Sequence, residues 1–490
     1  MSRCRRNALA VMLSLCLLPA IAAAGVDPAF NEALQAASNQ VAQGDSLGAA
    51  IAYERLLADP RLETLEPESR SEVWAHAAIA AGVQGDDTLA EQRVQKALDI
   101  KPDYAEARLL LAGHQISRGQ LDAAADNMIR AIRDSKDTPA LAEDQVWYIS
   151  MHLRKDPARR LALLQGLFDQ HWKPDGIEPI WYWVDLAELQ VESPQSDRVA
   201  ATLERVDAPL PLIQLRADKR FDRFIQRGDA RFDPVAAAQR YIDQMRVETM
   251  LSPGLNEAAV ALANALLVTG QAEDVVGMTQ SLGDFAAQAR SLPEAEEARP
   301  VGMMLNARAR AFWQLGRNDE AIQTQELATR MASPGDDTEQ KLRLASSYTG
   351  LHRPALARQT LRDMGELSVQ GEGMTQVILL QAAQQLADAD AQQQAHNALA
   401  AVRAQAPAYT MLGLVTDHRL DEAAAVLAER LADPYERGSA LLELQQLRER
   451  PELPGDKDFH ASWKQFKARA DVIAAAEKVG RIESYALYSE

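Results

Sequence analysis

A pattern of small and apolar residues that recurs about every 34 residues constrains the fold of this chain more than any other feature. Between Ser71 and Pro102, alanines follow one another at helical spacing, and Gly85 separates two apolar stripes. A second unit with the same spacing begins at Ala105 and has Gly119 at the corresponding turn. Because one helix pair cannot bury its apolar stripe alone, such units must stack on their neighbours. The repeat therefore predicts stacked pairs of helices.

Small residues fall at fixed positions of this unit. Counted from Ser71, Ala78, Ala90 and Ala97 occupy positions 8, 20 and 27. This spacing resembles the tetratricopeptide repeat (TPR), in which small residues at these positions let paired helices approach closely. Looser units recur at residues 30–59 and farther along the chain, around Gly270, Gly316, Gly350, Asp388 and Leu420. The resemblance implies an all-α, TPR-like helix-turn-helix repeat solenoid whose default role is to bind other proteins.

The repeat is interrupted by a proline-rich segment in the middle of the chain, where short helices at 158–168 and 180–190 are still expected. We therefore predict two repeat arms joined by an irregular helical segment. The predicted regions are a signal peptide (1–24), a first array (26–137), an irregular aromatic-rich middle (138–235), a second array (236–434) and C-terminal capping helices (435–490).

Residues 288–301 contain two prolines and are predicted to be a loop. In the C-terminal region, helices are predicted over 434–450 and 459–479. Alternating runs of β-branched residues are missing from the sequence, so no strands are expected.

The first 24 residues have the pattern of a secretory signal peptide. Three arginines precede an apolar stretch, and three alanines before Gly25 provide a cleavage site. We expect cleavage after Ala24 and a periplasmic location, or secretion if the source is not Gram-negative. The alternative is a signal retained as a membrane anchor. Cleavage would remove Cys4 and Cys16, the two cysteines of the chain, and would change the net charge from −18 to −21.

Charge and motif content argue against several classes of function. The chain has 70 acidic and 52 basic residues, and such a negative field repels nucleic acid. The sequence contains no phosphate-binding loop, dinucleotide motif, zinc-binding helix or serine nucleophile elbow. No two of the eight histidines lie within four residues of each other, so no helix face presents a pair of histidine ligands.

We accordingly predict no catalytic residues, cofactor, metal or nucleic-acid partner, and no membrane span in the mature chain. The oligomeric state is not predicted.

Aromatic residues are concentrated in the middle segment, within the 37 residues from Trp147 to Trp183. They could form a groove for a peptide or a sugar chain, because flat rings give a large contact area at low entropic cost. Alternatively, they could fill gaps where small-residue packing is lost. Successive helical side chains point about 100° apart, so three consecutive rings at 181–183 cannot all face inward. The candidate binding residues are Trp147, Trp172, Trp181 and Trp183.

A basic segment follows at residues 216–231, with six basic and three acidic side chains. Arg216, Arg220 and Arg223 are candidates for binding a carboxylate-bearing peptide or an acidic glycan. The same arginines could instead pair with acidic faces of neighbouring helices.

Three classes of function remain open. The first is a non-catalytic interaction scaffold that holds a partner protein or an extended peptide on a concave helical surface. One form of it would act within an envelope or exopolysaccharide export assembly. The second is direct binding of a glycan or peptide by the aromatic segment, and the third is an enzyme of unrecognised type. Fold alone does not choose among them.

Overall fold

The computed structural model describes residues 27–288, 295–332, 337–365 and 367–489. The chain forms two compact units, one up to Gln190 and the other from Val191 onwards. Helices dominate both, which confirms the all-α prediction. The predicted signal peptide lies outside the described residues, and the predicted region boundaries at 137, 235 and 434 stay predictions.

The first unit is a stack of helix pairs joined by short turns. Its α-helices are α1 (Pro28–Ala42), α2 (Ser46–Leu57), α3 (Pro67–Val83), α4 (Asp87–Ile100), α5 (Ala105–Ser117), α6 (Leu121–Asp134), α7 (Glu143–His152), α8 (Pro157–Asp169) and α9 (Ile180–Val191). Helix α3 contacts both its own partner α4 and the first helix of the next pair, α5. The two most regular units of the sequence therefore stack as the repeat predicts.

Small residues and glycine turns shape these pairs. Ala78, Ala90 and Ala97 are fully buried, so the helices approach closely where a larger side chain would not fit. Gly85 joins α3 to α4 with φ of 82°, in the left-handed region that glycine adopts without a steric penalty. Asp86 then caps α4, because its carboxylate accepts from the backbone N–H of Leu89 at 2.9 Å.

The second unit also consists mainly of helix pairs. Its α-helices are α10 (Val199–Leu203), α11 (Pro209–Ala217), α12 (Pro234–Leu251), α13 (Glu257–Thr269), α14 (Ala272–Met278), α15 (Gln280–Gln288), α16 (Ala295–Gln314), α17 (Asn318–Met331), α18 (Thr338–Gly350), α19 (Pro354–Thr360), α20 (Val369–Gln385), α21 (Ala389–Val402), α22 (Pro407–Thr416), α23 (Leu420–Ala432), α24 (Arg437–Leu444), α25 (Lys457–Lys467) and α26 (Ala470–Val479). Short 3₁₀ turns lie at Pro60–Thr64, Leu153–Lys155, Pro174–Gly176, Ser196–Arg198, Lys219–Phe221 and Ala230–Phe232 of the two units.

Several turns of the second unit follow the glycine pattern, whereas others have His352, Ala387 or His418 in the left-handed conformation. Gly270 and Gly316 have φ of 84° and 72° and connect α13 to α14 and α16 to α17. At the unit predicted around Gly350, the glycine is the last residue of α18, and His352 takes the left-handed conformation with φ of 58°.

A small parallel sheet contradicts the expectation that the chain has no strands. Strand β1 (Gln446–Arg448) pairs with β2 (Ser484–Tyr488). The predicted helix over 434–450 is correspondingly shorter and ends at Leu444, because Gln445 adopts an extended conformation with ψ of 152°. The strands are three and five residues long and far apart in sequence, so neither leaves a clear alternating pattern.

The predicted loop at 288–301 is also shorter than expected. Helix α16 begins at Ala295 and contains Pro300. Pro300 is the sixth residue of this helix and has no N–H to donate to the carbonyl four residues before it, so the helix lacks one hydrogen bond there. Among the residues that the structure describes, no helix has the length and apolar character needed to cross a bilayer.

Candidate functional site

Two of the predicted tryptophans present their rings to solvent in the first unit. Trp147 lies on α7 and Trp181 on α9, and their side chains are 43% and 41% exposed. The hydroxyl of Tyr182 donates to the backbone carbonyl of Glu143 at 3.2 Å, which ties the first turns of α7 and α9 together. Tyr148, next to Trp147, is also exposed. The two helices therefore carry large accessible rings on a fixed framework.

The other two predicted tryptophans are core residues. Trp172 and Trp183 are 2% and 0% exposed. The ring of Trp172 meets that of Tyr182 edge-on at 5.6 Å, and Trp183 meets Phe168 at 5.2 Å. Both indole N–H groups are satisfied, Trp172 by a backbone carbonyl at 3.1 Å and Trp183 by the Glu178 carboxylate at 2.5 Å. Both rings thus fill the interior between helices, and their contact with a ligand stays a prediction.

Carboxylates lie on the same two helices as the exposed rings. Glu143 and Asp144 occupy the first turn of α7, and Asp185, one turn after Trp181, pairs with Arg160. Burial, reinforced by these three carboxylates, raises the pKa of the Tyr182 hydroxyl. The candidate surface is thus aromatic and acidic, a combination that favours cationic and apolar groups over anionic ones.

A pair of glutamates that belongs to no known sequence motif lies on the regular repeats. Glu72 on α3 and Glu106 on α5 both occupy the second position of their unit, 34 residues apart. Burial and the neighbouring charges of Glu106 and Glu68 raise the pKa of Glu72 to about 7. Burial also raises the pKa of Glu106, which a hydrogen bond from Tyr104 partly offsets. The sequence signal that could have found this pair is the recurrence of an acid at the same repeat position.

The neighbouring Glu68 has the opposite electrostatics. It is exposed and pairs with Lys101 at 2.8 Å and Lys136 at 2.9 Å. These hydrogen bonds lower the pKa of the Glu68 carboxyl. The regular repeats therefore carry both a paired carboxylate and partly buried carboxylates that resist ionisation.

The predicted arginines of the second unit differ in their surroundings. Arg216 donates to the backbone carbonyl of Phe232 at 3.0 Å. Arg220 donates to Asp218 at 2.8 Å and to Glu192 at 3.0 Å. Both side chains thus make structural contacts within the unit, as the second interpretation of the basic segment expected.

Arg223 is exposed, and its guanidinium lies 4.5 Å from the centre of the Phe224 ring. It is the most accessible of the three predicted arginines, since Arg216 and Arg220 are partly buried. Across the described part of the chain, no three His, Cys, Asp or Glu side chains are arranged to hold a metal ion.

Comparisons with known proteins add little to this geometry. The sequence matches no protein-family model and no curated protein. Among solved structures, the chain is similar to one in the crystal structure of the APC/C hetero-tetramer Cut9–Hcn1, with 12% sequence identity and a TM-score of 0.25. The alignment covers 96% of this chain and 98% of that chain. At this TM-score the similarity supports no argument, so fold and site rest on the packing described above.

Proposed function

We propose that the protein is a non-catalytic interaction scaffold that binds a partner protein or an extended peptide through the surface carrying Trp147 and Trp181. The observation that supports this most is the exposure of two large rings on neighbouring helix pairs that are otherwise well packed. Exposed aromatic side chains bury much area at small entropic cost when a partner docks, and tryptophan is the residue most enriched at binding hot spots.

The chemistry of the surface narrows the partner. Glu143 and Asp144 lie on the same helix as Trp147, and the chain as a whole is strongly acidic. The matching segment would carry basic side chains, which stack on the indoles, together with apolar ones. With the signal peptide removed, this binding would take place in the periplasm or outside the cell, and an envelope protein is the expected partner.

The test compares two pairs of exposed apolar residues in the same unit. Replacing Trp147 and Trp181 together with alanine should reduce in-cell crosslinking to the partner at least tenfold and leave the thermal stability unchanged. The control replaces Leu47 and Ile51 on α2, which are exposed as well, and should retain capture. Equal capture by both double variants would contradict the assignment of the surface.

A second candidate function is direct binding of a glycan. Exposed indole rings also stack on sugar rings, and Trp147 and Trp181 have the required accessibility. This alternative expects a soluble oligosaccharide to quench the fluorescence of the purified protein without a second protein. Quenching that persists after both tryptophans are replaced with phenylalanine would exclude this surface as its origin.

A further inference from the structure

An extended segment, residues 481–489, lies on a surface that distant parts of the second unit build together. Strand β2 runs parallel to β1 and contacts α12 and α13. Leu487 is 1% exposed and packs in one apolar cluster with Leu210, Ile213 and Val268. Within residues 481–489 no other side chain is fully buried. Ile482 and Tyr485 also pack against apolar side chains but remain partly exposed, so Leu487 is the main apolar anchor of the segment.

The main chain of this segment is recognised by a buried amide. Gln445 donates from Nε2 to the carbonyl of Arg481 at 2.9 Å and accepts from the N–H of Glu483 at 2.9 Å. The N–H of Gln446 donates to the Glu483 carbonyl at 2.9 Å. Contacts of this kind depend little on side-chain identity and are the means by which a sheet edge binds an added strand.

Side chains of the basic segment supply the specificity. Arg227 pairs with the carboxylate of Glu483, and the ring of Tyr485 packs against the apolar cluster that also holds Leu487. Asp222 accepts from Arg481 at 2.7 Å. The surface thus selects an acidic residue, an aromatic ring two positions later and a leucine four positions later.

The segment is held more weakly than the helices beneath it. The ion pairs of Glu483 and Arg481 are about a third exposed, so solvent screens them and they contribute little stability. A two-stranded sheet is only marginally stable alone. Small, partly exposed elements of this kind open locally at lower free energy than a helical core.

We propose that this surface is a peptide-binding groove, in which the chain's own segment 481–489 is a resident ligand that an extended segment of a partner protein displaces. The partner segment would carry an acidic residue followed by tyrosine at the second and leucine at the fourth position beyond it. The proposal concerns the second unit and goes beyond the function proposed above, which rests on Trp147 and Trp181 of the first unit.

A labelled peptide with the sequence of residues 480–489 tests the groove on the full chain. The variant Leu487→Asp removes the apolar anchor of the resident segment and should bind the peptide at least tenfold more tightly than the wild type. Adding Arg227→Glu to that variant should weaken binding at least tenfold, because the groove then repels the peptide's glutamate. A peptide carrying aspartate in place of its leucine is the matched control and should not bind. Binding to Leu487→Asp that is no tighter than to the wild type would overturn the proposal.

A second measurement does not depend on any variant folding. In the wild type, hydrogen exchange of the backbone amides of residues 484–488 should be at least 100-fold faster than that of α13. Equal protection of residues 484–488 and of α13 would show that the segment opens only when the whole unit unfolds. A partner could then not displace the segment, and the proposal would be refuted.

Discussion

The regular helix pairs at residues 67–134 and the irregular helices at 143–191 bury their surfaces by different means. In the regular pairs, Ala78, Ala90 and Ala97 form the contact, and the helices lie close together. In the irregular helices, Trp172 and Trp183 occupy the interior, while Trp147 and Trp181 extend into solvent. The regular pairs therefore carry partly buried carboxylates such as Glu72, whereas the irregular helices carry exposed aromatic rings.

This difference shows that aromatic residues that cluster in the sequence divide into buried rings and exposed rings in the structure. Trp172 and Trp183 complete the core, and Trp147 and Trp181 remain accessible for contact with another molecule. Replacing buried and exposed rings separately should give clearly different losses of stability, and the partly buried carboxylates of the regular pairs should make stability depend on pH.

The largest expected effect comes from Trp183. Trp183→Ala should lower the free energy of unfolding by about 3–5 kcal/mol, because removing a fully buried indole leaves a cavity. Trp181→Ala on the same helix should change it by less than about 0.5 kcal/mol. Denaturant unfolding of the two variants measures the contrast, and similar losses would contradict the division into buried and exposed rings.

Glu72 should make the regular pairs sensitive to pH. Its pKa is raised from about 4.5 to about 7 by burial and by neighbouring carboxylates, so ionisation destabilises the folded state progressively as the pH rises through this range. Glu72→Gln removes this penalty. Its free energy of unfolding should exceed that of the wild type by about 2–3 kcal/mol at pH 8 and should equal it at pH 4.

The matched control for this experiment is Glu68→Gln. The Glu68 carboxylate is paired with two lysines and has a lowered pKa, so its replacement should give no gain at any pH. Thermal unfolding from pH 4 to pH 8 follows both variants. If the difference in stability between Glu72→Gln and the wild type were the same at pH 4 and pH 8, the burial of this carboxylate would be contradicted.

The smallest contrast concerns the arginines of the basic segment. Arg216→Ala should cost about 1–2 kcal/mol, because the backbone carbonyl of Phe232 loses its donor. Arg223→Ala should stay within about 0.5 kcal/mol, since that side chain is exposed. Chemical denaturation measures the loss of stability in each variant. A larger loss for Arg223→Ala than for Arg216→Ala would contradict the contacts described for these two side chains.

Local rules explain how far the sequence could predict this structure. Small residues at fixed positions and glycine at turns act within one unit, so the pairs at Ser71 and Ala105 follow from the sequence directly. Helical geometry also shows that the rings at 181–183 cannot all be buried. Which of them faces inward depends on the neighbouring helices α7 and α8, and the sequence does not contain that information in any local form.

Long-range contacts account for what the sequence did not reveal. The pairing of β1 with β2 joins residues 38 positions apart, and Arg227 meets Glu483 at a separation of 256. Neither contact leaves a periodic pattern. The partly buried Glu72 and Glu106 do recur at one repeat position, but their raised pKa values depend on how closely α3 and α5 pack.

Site-specific photocrosslinking in cells is the most direct test of partner binding at Trp147 and Trp181. A photoreactive amino acid at position 148, beside Trp147, samples the proposed binding surface and leaves both exposed tryptophans in place. The control position is 250, where Met250 is 72% exposed on α12 of the second unit. Binding through Trp147 and Trp181 should give one dominant protein adduct at position 148 that is missing at 250 and is lost when Trp147 and Trp181 are replaced. The same adducts at both positions, or an adduct that survives the loss of both tryptophans, would contradict it.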